Sequence, residues 1–403
     1  MAQPIRPECP VRLGGVYTEG LGDSPGARLS ADNQRWILQS CDVIALDSNR
    51  ITPTTFPAMV KAYPLFTPLL YVYASSVYEQ PDHKGNVGGW KPEMSAWTLR
   101  DEQNKEIPYP DAGGHWMDFG NTQWAAFWRD RVLDLTRRDG AFGVVAAELP
   151  PGNTFVGDHL ANYKDFNDRA AATGRWLQAA HAPGKFLLIP SAIGFDSPAG
   201  HATLATPPSA EEPELRGTLW DDYYSWIDGA WAEGWIHPYW SDTPLPPTYW
   251  EIEEEAADRA ARNGQVFIAA AAYRNDAELE YDLASYLLIT HHQGRLVFQP
   301  MPLLPAQPPD AGFSLAVLRR EVAAKSGYFN APLGVALQER HIVQVTDGVV
   351  WRRTFQNGVV YVNADIQQKV TIQLGGTMKR PNGDLIQDIV LPPQSGAILL
   401  YTN

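Results

Sequence analysis

Short apolar runs alternate with amphipathic stretches along most of the chain, and this alternation constrains the fold more than any other feature of the sequence. A short apolar run bounded by turn residues is typical of a buried parallel strand. Eight such strands are predicted, at residues 12–18, 42–47, 67–75, 141–148, 186–193, 229–239, 266–273 and 296–301. Eight strands with helices between them are what a (β/α)8 TIM barrel requires, so we predict an α/β fold of that type.

The stretches between the strands have the apolar spacing of amphipathic helices. These helices are predicted to begin near Ser30, Thr52, Asn121, Tyr163, Tyr249 and Asp276. Ser30 and Asn121 are placed to cap helix N-termini, and Gly264 and Gly294 lie just past helix ends. A doubly wound open sheet is the competing architecture, but no glycine-rich phosphate loop follows any predicted strand.

The hydrophobic period changes from helical to two near residue 330. Alternating residues on both sides of Asn357-Gly358 predict a β-hairpin with a tight turn at that point. More alternating segments follow on both sides of a Gly375-Gly376 break. We therefore predict two domains, the (β/α)8 barrel at residues 1–330 and a small antiparallel β-sandwich domain at residues 331–403.

The charge balance narrows the range of partners. The chain has 32 Lys and Arg against 46 Asp and Glu, for a net charge of −14. Because such a surface repels phosphate groups, we expect no nucleic-acid partner and no binding to a membrane. No apolar stretch is long enough to span a bilayer, and the first residues do not resemble a signal peptide. We expect a soluble protein, with secretion or a periplasmic address after signal removal left open, as is the oligomeric state.

The aromatic content is high, with 14 Trp, 17 Tyr and 14 Phe. Trp and Tyr combine a flat apolar face with a polar edge, and such a surface packs well against the C–H face of a sugar ring. Many of these side chains are expected to fill the core. The excess nevertheless favours a carbohydrate as the partner.

Acidic residues lie at the ends of several predicted strands, which is where a (β/α)8 barrel places its reacting groups. They are Glu19, Asp47 and Glu148, and the sixth predicted strand contains Glu233. Glu148 ends an apolar strand and is followed by Pro-Pro-Gly, which turns the chain away. The alternative for Glu148 is a solvent-facing or helix-capping acid.

Glu233 lies between Trp231 and Trp235, each two residues away, which predicts that the three side chains share one strand face. A carboxyl group among indoles loses hydration and gains the character of a general acid. We therefore predict Glu233 as the general acid and Glu148 as the nucleophile or base. The alternative for Glu233 is an ion pair with a Lys or Arg of the barrel.

The barrel geometry supports taking the two residues as a pair. The fourth and sixth strands are two apart, so their backbones are expected to lie roughly 10 Å from each other. Two inward glutamates can then bring their carboxyl groups into the range of about 5 to 9.5 Å that glycoside hydrolysis uses. Retention and inversion of the anomeric configuration both stay open.

Polar and aromatic residues at or near strand ends are predicted to bind the sugar. They are Tyr17, Glu19, Asp47, Asn49, Trp90, Trp116, Asp118, His237, Trp240, Asp242, Tyr273, Arg274 and Gln299. Asp242 is also the reserve catalytic carboxylate should Glu233 point outward. Asn121, close to Asp118, has helix capping as a competing role.

No cofactor and no metal site is predicted. The sequence has no nucleophile elbow and no His-Glu-x-x-His motif, and Cys9 and Cys41 stand neither at metal spacing nor in a Cys-x-x-Cys motif, which leaves a disulfide between them open. His115 and His237 lie in aromatic segments and leave one metal-dependent alternative, a zinc-dependent polysaccharide deacetylase.

Three segments carry a resemblance to a known group of proteins. WMDFGNTQWAAFWRDRVLDLTRR, AFGVVAAELPPGN and DGAWAEGWIHPYW resemble segments of glycoside-hydrolase-like TIM-barrel families that are distantly similar to the endo-α-1,4-polygalactosaminidases. The W-x-D-x-x-N element of those families matches Trp116, Asp118 and Asn121. Their acid at the end of strand 4 matches Glu148, and their D-G-x-x-x-E segment ends at Glu233.

The tail of the chain extends the resemblance. Its R-x-F-x-N-G-x-V-x-V-N pattern, from Arg353 to Asn363, is similar to the β-domain that follows such barrels. The chain differs from those families at strand 4, where a D-G-x-F-x-D-D ending is commoner. It also differs from the large clan of retaining barrel hydrolases, which place their nucleophile after strand 7, because strand 7 has no acid at its end here. The resemblance implies a barrel with a C-terminal β-domain that hydrolyses glycosidic bonds.

The sequence as a whole predicts a glycoside hydrolase that cleaves a poly- or oligosaccharide by a two-carboxylate mechanism. A non-catalytic carbohydrate-binding barrel and the metal-dependent deacetylase are the alternatives. The sugar, its linkage, and endo or exo action are left open by the sequence.

Overall fold

The computed structural model describes most of the chain. The described residues are 10–22, 27–110, 113–148, 161, 163, 166–191, 223–238, 243–290, 295–303 and 313–402. The helices are α1 (Ala31–Ser40), α2 (Thr55–Ala62), α3 (Thr122–Asp139), α4 (Phe166–Ala180), α5 (Pro247–Arg262), α6 (Asp276–Ile289), α7 (Leu315–Ala324) and α8 (Ser326–Phe329).

Strands fall into a parallel set and an antiparallel set. The strands are β1 (Leu13–Tyr17), β2 (Cys41–Asp47), β3 (Thr67–Tyr73), β4 (Ser76–Tyr78), β5 (Gly114–Trp116), β6 (Gly143–Ala147), β7 (Leu187–Pro190), β8 (Gly229–Glu233), β9 (Val266–Tyr273), β10 (Arg295–Pro302), β11 (His341–Val345), β12 (Gly348–Phe355), β13 (Gly358–Asn363), β14 (Val370–Lys379), β15 (Leu385–Leu391) and β16 (Ser395–Tyr401).

The parallel strands form an eight-stranded sheet in the order β7-β6-β3-β2-β1-β10-β9-β8. Its end strands meet, because Ser191, the residue after β7, forms a parallel bridge with Trp231 of β8. Next to this bridge, the Asp228 backbone N–H donates to the Leu188 carbonyl at 2.9 Å. Helices follow most of these strands along the chain. The predicted (β/α)8 barrel with a C-terminal antiparallel β-domain is therefore confirmed.

The chain divides into two compact units by its contacts. One unit comprises Val16–Leu38 and Val43–Ala232, and the other comprises Met1–Gly15, Gln39–Asp42 and Glu233–Asn403. We call them the N-terminal unit and the C-terminal unit after the segments that supply most of their residues. The predicted domain boundary at residue 330 stays a prediction.

In the N-terminal unit, α3 is anchored at the carboxyl end of β3. The indole N–H of Trp124 donates to the Ala74 carbonyl at 3.0 Å, and that of Trp128 donates to the Tyr73 carbonyl at 2.8 Å. The Trp128 ring packs edge-on against Trp176 of α4, with 4.8 Å between centroids. Two large apolar side chains thus bury their polar edges by satisfying backbone carbonyls, which fixes the end of β3.

In the C-terminal unit, the antiparallel sheet packs beside α6. Its strands run in the order β11-β12-β13-β16-β14-β15. A core of aliphatic side chains from β12 to β16 lies within this domain, including Val350, Val359, Ile372, Ile389 and Leu399. Gly396 of β16 lets the sheet approach α6 closely, because a Cβ at that position would lie 2.6 Å from the Ala284 side chain.

Several local predictions are confirmed and two are wrong. Asn121 accepts hydrogen bonds from Gln123 N and Trp124 N at the start of α3, and the Ser30 hydroxyl accepts one from Asn33 N. The predicted turn at Asn357-Gly358 is one residue too late, since Phe355 pairs with Gly358 and the turn residues are 356 and 357. The sixth barrel strand is also shorter than predicted.

That strand, β8, ends at Glu233 rather than at residue 239. Gly234 takes φ +86° and Ile236 takes φ +48°, so the extended backbone stops. Gly264 lies past the end of α5 with φ +70°, as predicted, while Gly294 and Cys9 lie outside the described residues. Cys41 is buried at the start of β2. In the described part of the chain, no helix is long and apolar enough to cross a membrane.

Candidate active site

Glu148 directly follows β6, at the carboxyl end of the strand. Its carboxylate accepts hydrogen bonds from three hydroxyl groups. Its Oε2 accepts hydrogen bonds from Ser75 Oγ at 3.1 Å and Ser76 Oγ at 3.0 Å. Its Oε1 accepts one from Tyr109 OH at 2.5 Å. Hydrogen bonds to a charged acceptor are strong, so the three donors stabilise the ionised carboxylate. Glu148 also has φ +55°, a conformation that is uncommon outside glycine.

The phenol of Tyr109 stays protonated next to this carboxylate. Burial raises the pKa of Tyr109, and the negative charge and hydrogen bond of Glu148 raise it further. Since a neutral phenol has one proton to donate, Tyr109 is a donor to Glu148 throughout the ordinary pH range. The donors arrive from two places, with Ser75 and Ser76 just after β3 and Tyr109 in the loop before β5.

Aromatic rings surround the Glu148 donors. The Tyr109 ring lies 4.4 Å from Trp116 and 5.3 Å from Tyr78, centroid to centroid. On its other side Tyr78 stacks on His83 with 3.5 Å between centroids. These rings present aromatic surface of the kind that packs on sugar rings.

Trp90 and His115 form a second aromatic pair on the same unit. Their rings stack at 3.7 Å with an angle of 9°. His115 Nδ1 lies 2.6 Å from Glu106 Oε1, and its Nε2 lies 3.9 Å from Glu79 Oε1. His115 is therefore held by a carboxylate and a tryptophan face. Within the described ranges no group of three or more His, Cys, Asp or Glu side chains is placed to hold a metal ion.

Glu233 is the last residue of β8 and is half-buried. Trp231 is two residues earlier in the strand and its ring lies 6.4 Å from that of Tyr71. The predicted shared face with Trp235 is wrong, because the strand ends at Glu233 and the backbone turns at Gly234. Trp235 is instead fully buried, and its indole N–H points at the Glu253 carbonyl of α5 at 3.4 Å.

His237 and Arg274, two of the predicted sugar-binding residues, lie together in the C-terminal unit. Arg274 Nη1 donates to His237 Nε2 at 3.1 Å. The proton of the imidazole is then on Nδ1, which lies 3.7 Å from Asp282 Oδ1. His237 and Asp282 are both fully buried. Burial raises the pKa of Asp282 to about 6, an effect that the neighbouring His237 partly offsets.

Arg274 also contacts Glu278, whose Oε2 accepts the Arg274 backbone N–H at 2.6 Å. The Arg274 side chain as a whole is about 29% exposed. Ile236, the residue before His237, has the positive φ already noted, which is rare for a β-branched residue and marks a strained backbone at this point.

Tyr273 and Gln299 are placed more deeply than the sequence analysis predicted. Tyr273, at the end of β9, donates its hydroxyl to Glu321 Oε2 of α7 at 3.0 Å. Burial and the charge of Glu321 raise the pKa of Tyr273. Gln299 lies within β10 rather than at its end and is fully buried. It packs on Gly15 of β1, where a Cβ would come within 2.6 Å of the Gln299 side chain.

The candidates on the second strand have identifiable structural contacts. Asp47 is buried at the end of β2 and accepts the Asn49 backbone N–H at 3.0 Å, which caps the short 3-10 helix Ser48–Arg50. Burial raises the pKa of Asp47, while the Asn49 N–H and the Arg50 charge lower it. The Asn49 side-chain amide donates to the His83 carbonyl at 3.3 Å. At the end of β1, Tyr17 is fully buried and Glu19 is half-buried.

Asp118 accepts one hydrogen bond from its own loop and one from a residue distant in sequence. Asp118 Oδ1 accepts the Gly120 N–H at 2.8 Å and the hydroxyl of Tyr163. Burial and the Asp118 charge raise the pKa of Tyr163, which therefore stays a donor. Trp240 and Asp242 lie outside the described residues.

Sequence reasoning missed all three donors to Glu148. Ser75 is the last residue of the third predicted strand and Ser76 follows it, so two adjacent hydroxyls at a strand end were a readable signal. Tyr109 lies far from any strand end in the sequence, and only the fold of its loop brings it to Glu148.

A parallel barrel with a half-buried, hydroxyl-supported carboxylate and aromatic rings at its strand ends defines a carbohydrate-active enzyme of the TIM-barrel class. The chain belongs to hypothetical glycosyl hydrolase family 15, whose family model matches residues 61–359, and it is accordingly a glycoside hydrolase. No curated protein matches the sequence.

Three solved structures resemble the chain at low sequence identity. The glycoside hydrolase domain of PelA from Pseudomonas aeruginosa is 12% identical, with 73% of this chain and 95% of that chain covered and a TM-score of 0.44. Ega3 from Aspergillus fumigatus, in complex with galactosamine, is 13% identical, with 73% and 92% covered and a TM-score of 0.41. An α-amylase from Malbranchea cinnamomea is 11% identical, with 99% and 97% covered and a TM-score of 0.47.

Proposed function

We propose that this glycoside hydrolase cleaves a poly- or oligosaccharide with Glu148 and Glu233 as its catalytic carboxylates. The observation that carries the proposal is the set of three hydroxyl donors on Glu148, at the carboxyl end of a barrel strand. Glycoside hydrolysis needs one carboxylate that stays ionised and one that arrives protonated. The donors on Glu148 suit the ionised role.

Glu233 takes the role of general acid in this proposal. It ends β8, whose Trp231 forms the bridge with Ser191 after β7, and β7 in turn pairs with β6. Parallel barrel strands deliver their carboxyl ends to one rim, which is where the reacting groups of such enzymes lie. Glu233 is half-buried at that strand end.

The reaction then follows the two-carboxylate scheme. Glu233 gives its proton to the glycosidic oxygen as the bond from that oxygen to the anomeric carbon breaks. Glu148 either attacks the anomeric carbon, forming an ester that water later hydrolyses, or takes a proton from the water that attacks it. Each course consumes one water and releases one new reducing end. Trp116, Tyr109 and Trp90 supply the aromatic surface for the sugar rings.

The remaining sugar-binding candidates are part of the same proposal. His237 holds Arg274, whose exposed side presents a guanidinium to sugar hydroxyls. Asp47 and Asn49 fix the loop after β2, and through His83 they support the ring of Tyr78. A carbohydrate is accordingly the partner that we propose.

Incubation with a panel of soluble polysaccharides tests the function. The panel contains neutral α- and β-glucans, galactans and polymers of amino sugars, each with and without a chelator. New reducing ends that are insensitive to chelator are expected. Acetate release that the chelator abolishes would instead indicate a deacetylase, and binding without any product would indicate a carbohydrate-binding barrel.

Substitutions then test the two roles. Glu148→Gln and Glu233→Gln are each expected to lower kcat by at least about 10²- to 10⁴-fold with the fold retained. The control is Glu251→Gln, at an exposed position of α5. On a 2,4-dinitrophenyl glycoside, whose leaving group needs no proton, Glu233→Gln is expected to recover while Glu148→Gln stays inactive. Full activity in either variant on the polysaccharide removes that residue from the mechanism.

A further inference from the structure

We propose that Tyr109 is a positioning residue that fixes the Glu148 carboxylate for the reaction, and that its loop is built to hold the phenol in place. This inference rests on the proposed function and names a residue that the two-carboxylate scheme does not contain. It draws on contacts within the N-terminal unit alone.

The division of donors on Glu148 gives Tyr109 a distinct task. Ser75 and Ser76 both bond to Oε2, whereas Tyr109 bonds to Oε1 at 2.5 Å. The serine hydroxyls hold one carboxylate oxygen, and the phenol holds the other. A donor on each oxygen resists rotation of the carboxylate, so Tyr109 helps to set the direction in which the carboxylate plane faces.

Proline on both sides stiffens the backbone at Tyr109. The local sequence is Pro108-Tyr109-Pro110. Proline fixes its own φ, and a residue before proline is restricted to extended conformations. Pro108 also forms an antiparallel bridge with His115 of β5. The segment therefore has little conformational entropy left to lose when substrate binds.

Gly114 lies directly behind the Tyr109 ring. We call Gly114 and the two prolines that flank Tyr109 the holder. A Cβ at Gly114 would lie 2.8 to 3.1 Å from three atoms of the Tyr109 side chain. The ring consequently packs directly on the backbone of β5, with Trp116 and Tyr78 at its sides. Any larger residue at position 114 has to push the ring away, and with it the hydroxyl that Glu148 accepts.

Loss of the phenolic donor is expected to affect turnover more than binding. Hydrogen bonds to a charged group contribute enough that losing one lowers a rate about 10- to 100-fold when the bond is needed in the transition state. Tyr109→Phe keeps the ring and its contacts, so KM on the hydrolysed polysaccharide should stay within about twofold while kcat falls. A residue that only filled space would change neither constant in this pattern.

The control for Tyr109→Phe is Tyr328→Phe. Tyr328 is half-buried on α8, in the C-terminal unit, and belongs to neither proposed catalytic role. Removing its hydroxyl is expected to leave kcat and KM unchanged. Equal loss in both variants would mean that the fall is a general effect of removing a phenol, and the inference would be wrong.

Gly114→Ala tests the same arrangement without altering any hydroxyl. It should lower kcat as Tyr109→Phe does, and the double variant should be no worse than the more affected single variant, because both changes remove one interaction. Circular dichroism and thermal unfolding identify a variant that fails to fold. If Gly114→Ala is folded and fully active, the holder is not needed and the inference is overturned.

Testing Tyr109→Phe in a Glu148→Gln protein distinguishes a failure of this inference from a failure of the proposed function. In that background Tyr109→Phe is expected to cause no further loss, because the group it positions is gone. An active wild type with an inactive Glu148→Gln and an unaffected Tyr109→Phe refutes the positioning role alone. A wild type that produces no reducing ends from any glycan refutes the proposed function itself.

Discussion

Replacing Arg353 by leucine is expected to destabilise the packing of β12 on α6. Arg353 is 3% exposed, and its Nη1 donates to the carbonyl oxygens of Leu287 at 3.1 Å and Leu288 at 2.8 Å. These carbonyls lie in the last turn of α6, where the helix itself offers no donors. The Arg353 Nε donates to the Gln338 carbonyl at 3.2 Å. One buried guanidinium therefore caps a helix and binds a connecting segment.

The magnitude follows from these three bonds. A hydrogen bond from a charged donor contributes about 1.5 to 3 kcal/mol, and each buried carbonyl left without a donor costs about 1 to 3 kcal/mol. Leucine offsets part of this, because it removes the cost of burying a charge, and that same burial lowers the pKa of Arg353. The net loss in the free energy of unfolding is expected to be about 2 to 4 kcal/mol.

Urea unfolding followed by tryptophan fluorescence measures this loss. Trp351 lies two residues before Arg353 and its ring is 5.8 Å from Trp250, so the signal reports on this region. The matched control is Arg352→Leu, one residue earlier on the strand, where the guanidinium lies 5.8 Å from the centroid of the Tyr361 ring. An Arg353→Leu protein as stable as wild type, or no more affected than Arg352→Leu, would refute the reasoning.

Two further predictions concern the buried polar groups of the barrel. Gly15→Ala should cost about 1 to 3 kcal/mol of stability, because the added Cβ would lie 2.6 Å from the Gln299 side chain. The control is Gly184→Ala, at a glycine that also has a positive φ but has open space around it. Thermal unfolding should show that Gly184→Ala is the milder change. Asp282 has a folded pKa raised to about 6 from 3.8, so the stability it contributes is present at low pH and lost as pH rises through 6. Relative to Asp282→Asn, wild type should therefore lose about 2 kcal/mol between about pH 4 and pH 6, as measured by urea unfolding at both values. A gain over that range would contradict the burial of Asp282 beside His237.

The spacing of apolar residues was enough to predict most of the barrel strands and helices. The strand over Val266–Tyr273 has the predicted bounds, and the helix predicted from Asp276 begins there. The N-cap at Asn121 was also predictable, because an Asn directly before an amphipathic run can accept hydrogen bonds from the first free N–H groups of the helix. The failure at β8 has a local cause as well, because Gly234 takes a positive φ and ends a strand whose apolar pattern continues through Trp235.

The candidate site was predictable only in part. Glu148 could be found because a single acid ends an apolar strand. Tyr109 could not, because its contact with Glu148 spans 39 residues and depends on how one loop folds over a strand end. Likewise Arg274 and His237 were each selected for lying at a strand end, but their bond to each other and the burial of Asp282 behind them depend on packing.

By itself, the order of apolar and polar residues determined that this chain forms a parallel barrel and then an antiparallel sheet, since backbone hydrogen bonding and apolar burial allow few other solutions for that pattern. The tertiary structure alone decided which hydroxyls meet the carboxylate at the end of β6 and which buried charges are paired. Those contacts join residues far apart in sequence, and their energies depend on distances and solvent exclusion that exist only once the elements have packed.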